Sequence, residues 1–132
     1  MSVFVDTSAF LSLLDASDRD HPAARTTWEA IVRRGEPLVV SSYILVETFA
    51  LIQRRLGLEA VRVFQQNAVP LLQIVWVGET AHSLGVLALL AANRRQLSLV
   101  DCVSFALMRQ LGINTVFAFD QHFVEQGFTC IP

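Results

Sequence analysis

The chain contains no lysine. All 10 of its basic residues are arginine, against 12 acids, and the formal net charge is −2. A pervasive basic coat, the usual footprint of a tight DNA binder, is thereby excluded, and any nucleic-acid contact rests on a few Arg groups. Charged residues fill only 17% of positions and apolar residues 53%, which excludes a disordered or solvating tail. Cysteine is scarce: Cys102 and Cys130 stand in apolar surroundings at a spacing that fits no zinc motif, and read as buried free thiols in a reducing compartment. No apolar run approaches the roughly 20 residues of a membrane span. The longest helical candidate, Ala81–Ala92, is interrupted by His82 and Ser83. Met1–Asp6 has no basic region ahead of its apolar residues, so a cytoplasmic protein without a secretion signal is expected. The 6 glycines are scattered like helix and strand stops, which argues against the clustered glycines of a dinucleotide or P-loop site.

What is present is a large apolar fraction in 132 residues, with mean hydropathy +0.47. The length predicts one domain, 1–132. The low charge implies either a large core or apolar surface that meets a partner, and self-association or a bound protein partner is expected. Short apolar runs alternate with amphipathic stretches. Strands are predicted at Ser2–Val5, Pro37–Ser41, Leu71–Val77, Thr115–Phe119 and Phe128–Ile131. Helices are predicted at Thr7–Asp15, His21–Arg34, Ser42–Leu56 with Ser42 as cap, Leu58–Ala68, Glu79–Arg95, and Leu99–Leu111 behind a Ser98 cap. This alternation predicts right-handed crossovers and a three-layer α/β/α sandwich around a five-stranded, mostly parallel sheet. In such sheets the ligand crevice lies at the carboxyl ends of the strands.

Four acids interrupt apolar runs. Asp6 follows Val3-Phe4-Val5; Glu47 follows Ile44-Leu45-Val46 inside a helix; Asp101 lies between Leu99-Val100 and Cys102-Val103; Asp120 follows Val116-Phe117-Ala118-Phe119. Each has an ordinary alternative. Asp6 and Asp120 suit helix caps, Asp101 suits a helix first turn, and Glu47 suits a buried ion pair with a distant Arg. The joint placement is the signal, because all four can face one crevice. Carboxylates gathered there repel one another unless cations bind or protons are taken up. Mg²⁺ or Mn²⁺ match oxygen-only ligands, and with no His or Cys beside the group zinc is disfavoured.

These residues resemble a known family. Val5-Asp6-Thr7-Ser8-Ala9, Val46-Glu47, Ser98-Leu99-Val100-Asp101-Cys102 and Phe119-Asp120-Gln121-His122-Phe123 are similar to the motifs of the PIN domain, above all of VapC-type toxins from bacterial and archaeal toxin–antitoxin pairs. The resemblance covers nearly the whole chain. It implies an α/β/α sandwich and a Mg²⁺- or Mn²⁺-dependent endoribonuclease, with Asp6, Glu47, Asp101 and Asp120 as the acidic quartet. It implies supporting roles for Ser8, within the site, and for Ser98. It also implies a homodimer and a small antitoxin docking in an apolar groove. Phe119 stands where many members carry Thr or Asn.

On that basis the expected reaction is phosphodiester hydrolysis, with Asp6 and Asp101 as inner-sphere ligands, Glu47 acting through water and Asp120 completing a weaker second cation site. Either one-metal or two-metal operation is compatible with the residues. Arg54, Arg94 and Arg95 are candidate RNA contacts, with helix-end cations as their alternative reading. His122 reads as a surface histidine at a helix start, with substrate contact beside Asp120 as its alternative, and Trp28 and Trp76 as core, able to stack on bases only if exposed. Competing functions are a PIN nuclease of RNA processing without an antitoxin, and a non-catalytic module of the same fold. A phosphoryl-receiver domain is excluded by the missing lysine.

Overall fold

The computed structural model describes residues 1–132 throughout. Its strands are β1 (Val3–Val5), β2 (Leu38–Ser41), β3 (Leu72–Val75), β4 (Thr115–Phe117) and β5 (Thr129–Ile131). They form one sheet in the order β3-β2-β1-β4-β5, and every neighbouring pair is parallel. Parallel strands need crossovers. These are supplied by α1 (Thr7–Leu14), α2 (His21–Arg34), α3 (Ser42–Leu56), α4 (Leu58–Val63), α5 (Glu79–Ala92), α6 (Leu99–Leu111) and α7 (His122–Glu125). The result is the expected three-layer α/β/α sandwich, with a sheet that is wholly parallel. β1 and β2 are buried along their length, as continuous apolar strands covered on both faces should be. Phe4, Phe10, Phe64, Phe117 and Phe123 are fully buried, and Phe10 meets Phe64 edge-on at 5.0 Å between ring centroids. Trp28 packs on this core through Phe10. No helix is long and apolar enough to cross a membrane.

The strand order reverses beside β1. The chain first builds β2 and β3 on one side, then returns to place β4 and β5 on the other. A crevice therefore opens outside the carboxyl ends of β1 and β4, where the crossovers part to opposite sides.

Several local expectations give way to stronger constraints. Ser41, not Ser42, caps α3: its Oγ accepts from the Ile44 N–H at 3.1 Å, while Ser42 Oγ accepts from the Val77 N–H at 2.9 Å. The helix predicted over Leu58–Ala68 is α-helical only to Val63; a π turn at Phe64–Ala68 and a 3₁₀ turn at Val69–Leu71 follow, the latter holding Pro70, which lacks the N–H a longer ladder needs. α5 stops at Ala92 because Asn93 takes a left-handed conformation (φ 50°), leaving Arg94 and Arg95 outside the helix. Gly85 is no stop. It is buried in the middle of α5, where a Cβ would sit 2.5 Å from Val103 Cγ2 of α6, so its missing side chain sets the close approach of the two helices. Trp76 is 73% exposed rather than in the core. Of the two free thiols, Cys102 is buried and Cys130 only partly so.

Candidate metal centre

Asp6 leaves β1 directly into α1. Its backbone N–H donates to Phe117 O at 3.0 Å, which keys the end of β1 to β4. Its Oδ2 accepts from the Ser8 N–H at 3.1 Å and from the Ser8 hydroxyl at 2.6 Å. Ser8 Oγ in turn accepts from the Phe119 N–H at 3.0 Å. One hydroxyl thus joins the first acid to the loop that carries the fourth. Because the link to Phe119 runs through its backbone, a Phe serves there as well as a polar residue.

Asp101 and Ser98 form a reciprocal capping box at the start of α6, with both hydrogen bonds at 3.0 Å. Asp120 Oδ1 accepts from the His122 N–H at 2.9 Å. Glu47 lies in the second turn of α3, half-buried, with exposed Val46 beside it. Asp6, Asp101 and Asp120 therefore do serve as local caps. Each carboxylate oxygen has two lone pairs, and the bonds at the three acids leave acceptor capacity on each acid, so capping and ion binding are compatible.

The acids feel one another's charge, although only Asp101 and Asp120, with His122, bring their ligand atoms within 4.8 Å of one another. Burial pushes the Asp6 carboxyl up to about 6; the two Ser8 hydrogen bonds oppose this, and the charges of Asp101 and Asp120 add to it. Burial also raises Glu47, against the pull of the Thr7 hydroxyl and helped by the Asp101 charge. Asp101 is raised by burial and by Asp120, with the Ser98 bonds and His122 acting the other way. No arginine relieves the cluster. The Arg–carboxylate pairs go to Asp20, Glu29, Glu36, Glu59 and Glu125. Glu47 thus lacks the buried ion pair that would have given it a structural explanation.

His122 lies beside the acids, contrary to the expectation that no His accompanies them. Its ring Nδ1 lies 3.0 Å from Asp120 Oδ1 and 4.0 Å from Asp101 Oδ2, and its side chain is 19% exposed. That Nδ1 is a buried atom without a hydrogen-bond partner. Asp101, Asp120 and His122 offer ligand atoms that all lie within 4.8 Å of one another. The only sequence signal for His122 was its position two residues after Asp120; its approach to Asp101 depends on how α6 and α7 come together. Carboxylates free of arginine beside an orphaned imidazole nitrogen suit a divalent cation.

The PIN domain model matches residues 3–128. This chain belongs to the PIN domain family. Within the family it is 34% identical over 129 residues to the 23S rRNA-specific endonuclease VapC20 of Mycobacterium tuberculosis, covering 96% of this chain and 95% of that one. The crystal structure of M. tuberculosis VapC20, described as a sarcin–ricin loop cleaving toxin, superimposes with a TM-score of 0.84 at 31% identity over 97% of each chain. FitAcB from Neisseria gonorrhoeae shares the fold, with a TM-score of 0.72 at 13% identity over 98% of this chain and 96% of that one. In this PIN domain the candidate RNA-binding arginines differ in their freedom. Arg94 is paired with Glu125 at 2.8 Å, whereas exposed Arg54 and Arg95 make no ion pair.

Proposed function

We propose that this chain is a divalent-cation-dependent endoribonuclease, the toxin of a toxin–antitoxin pair, that hydrolyses RNA phosphodiester bonds in the cytoplasm as a single domain spanning 1–132. The observation that carries this reading is the set of acids at the switch point, Asp6, Glu47, Asp101 and Asp120, of which burial raises the first three and none pairs with an arginine. A chain built only for stability would gain by replacing it with apolar residues. The high identity to an rRNA endonuclease over nearly the whole length supports the choice of RNA as substrate.

A bound Mg²⁺ or Mn²⁺ supplies positive charge at the scissile phosphate and acidifies water beside it. Asp6 and Asp101 would hold the cation, and the Ser8 and Ser98 bonds orient both carboxylates. Glu47, half-buried with its carboxyl raised, receives the proton of the attacking water. Asp120, whose carboxylate lies within 4.8 Å of that of Asp101, would complete the cation site. Arg54 and Arg95 grip flanking phosphates, and Arg94 joins them when it leaves Glu125.

Two apolar surfaces fit the expected partners. Leu13, Leu14, Trp28, Val63 and Ala68 line a groove of about 160 Å³, where we place the antitoxin. Trp76, Leu84, Leu87 and Leu90 form an uncovered patch, where we place a second copy of the chain. The decisive experiment is cleavage of 23S rRNA by the metal-free protein, with Mg²⁺ or Mn²⁺ restored, beside Asp101→Asn. Cation-dependent cleavage lost by at least about 10³-fold in the variant is expected for removal of a metal ligand that stabilises transition-state charge. Equal cleavage by both proteins, or cleavage indifferent to EDTA, overturns the reading.

A further inference from the structure

We infer that His122 is a nitrogen ligand of the cation, and that it makes the site select Mn²⁺ over Mg²⁺. This deepens the metal-dependent reading above and rests on it. The simpler role for His122 is a hydrogen bond to Asp120. The distance of 3.0 Å allows one, yet Nδ1 has no hydrogen-bond partner, so its donor direction passes beside that oxygen. Asp120 Oδ1 already accepts from the His122 backbone N–H. A buried ring nitrogen left in this way is destabilising unless something external meets it.

The distances fit a cation. Around an octahedral ion with ligands at about 2.1 Å, adjacent donors stand about 3.0 Å apart and opposite donors about 4.2 Å apart. Nδ1 lies 3.0 Å from one carboxylate oxygen of the cluster and 4.0 Å from another. The ring is also held in place. Phe123, the next residue, is fully buried edge-on to Phe105 at 5.1 Å, and the far end of α7 is tied by Glu125 to Arg94. Mg²⁺ favours an all-oxygen shell and keeps its waters, whereas imidazole nitrogen suits transition-metal ions. A carboxylate site with one imidazole therefore discriminates between two ions of the same charge.

The test uses the full chain, stripped with EDTA. Mn²⁺ binding is followed by electron paramagnetic resonance, with Mg²⁺ as competitor, and pulsed spectra report ¹⁴N coupling to the bound Mn²⁺. The unmodified protein is expected to show that coupling and to bind Mn²⁺ at least about tenfold tighter than Mg²⁺. In His122→Gln the coupling disappears and Mn²⁺ affinity falls about 10- to 100-fold, while Mg²⁺ affinity changes by less than about threefold. Bound Mn²⁺ without nitrogen coupling, when Asp101→Asn still abolishes binding, overturns the role of His122 and leaves the carboxylate site standing. Coupling that survives His122→Gln also overturns it, because the nitrogen then comes from His21 or His82. If the unmodified protein binds neither ion saturably, this inference fails together with the metal-dependent nuclease. The spectrum of the unmodified protein needs no variant, so a poorly folding His122→Gln leaves the inference open to refutation.

Discussion

At the carboxyl ends of β1 and β4, buried acids stand together with no arginine among them; along the outer side of α5, Leu84, Leu87 and Leu90 stand in solvent at 53–70% exposure with nothing over them. The first region is held by specific short bonds: the Ser8 hydroxyl, the Ser98 box and the His122 N–H. The outer face of α5 has no comparable bonds, and the helix is fixed from behind by the close contact of Gly85 with Val103. Charge repulsion strains the first; water on apolar surface is the liability of the second. Each could be relieved by a substitution that leaves the fold intact. On the proposed function, the first is relieved by a cation and RNA and the second by a protein.

The largest expected effect tests the strain at the acidic edge. Asp6 is held at about 6 when folded against an ordinary value of 3.8, so between these values the native state binds more protons than the unfolded chain. Stability is lost as pH rises through that window. From Asp6 alone the metal-free protein should be weaker near pH 7.5 than near pH 4 by on the order of 2 kcal/mol, and raised Glu47 and Asp101 act with the same sign. Urea unfolding in EDTA at the two pH values measures this. Asp6→Asn should flatten the dependence, and Mn²⁺ should restore the unmodified protein at the higher pH. A slope unchanged by Asp6→Asn would mean that the acids are not strained.

A smaller effect probes the inner side of the apolar flank. Gly85→Ala in an ordinary helix would gain roughly 1 kcal/mol in propensity. Here the new methyl meets Val103 Cγ2 at 2.5 Å, and overpacking of that kind costs about 1–3 kcal/mol, so thermal melts should show a net loss. Adding Val103→Ala should recover part of it; no recovery would place the strain elsewhere. The smallest effect concerns the outer side. Leu87→Glu with Leu90→Glu should change monomer stability by no more than about 0.5 kcal/mol per residue, because both side chains are already wet. Sedimentation should nonetheless show loss of self-association. A dimer that survives both charges would move the protein contact away from this patch.

Much of this was readable in the residues. The alternation of apolar runs with amphipathic ones carried the sheet, its parallel sense and most helix boundaries, because Gly35, Gly57 and Gly112 do end their helices in left-handed or related conformations. The quartet was visible because each acid breaks an apolar run and three of the four lie near a strand end or helix start. The unreadable part depended on tertiary contact. His122 has the local setting of any helix-start histidine, and only the approach of α7 to α6 brings its ring near Asp101. Gly85 is a poor helix former on local propensity, and its use appears only when α6 lies against it. Trp76 misleads because an aromatic at a strand end favours burial, whereas here β3 is the outermost strand of its side and the indole stands clear of the core. The choice between Ser41 and Ser42 turns on one residue of helix phase, below what capping preference alone resolves.

β1 pairs on one side with β2 and on the other with β4, which follows far along the chain. The seam between β1 and β4 gathers three acids of the quartet, and closing a contact between such distant stretches is slow. No shorter contiguous piece of chain, whether a stalled translation product or a proteolytic remnant, brings Asp6 and Asp120 together. On the nuclease reading, RNA cleavage therefore waits until Asp120 has been synthesised, by the path of the backbone alone.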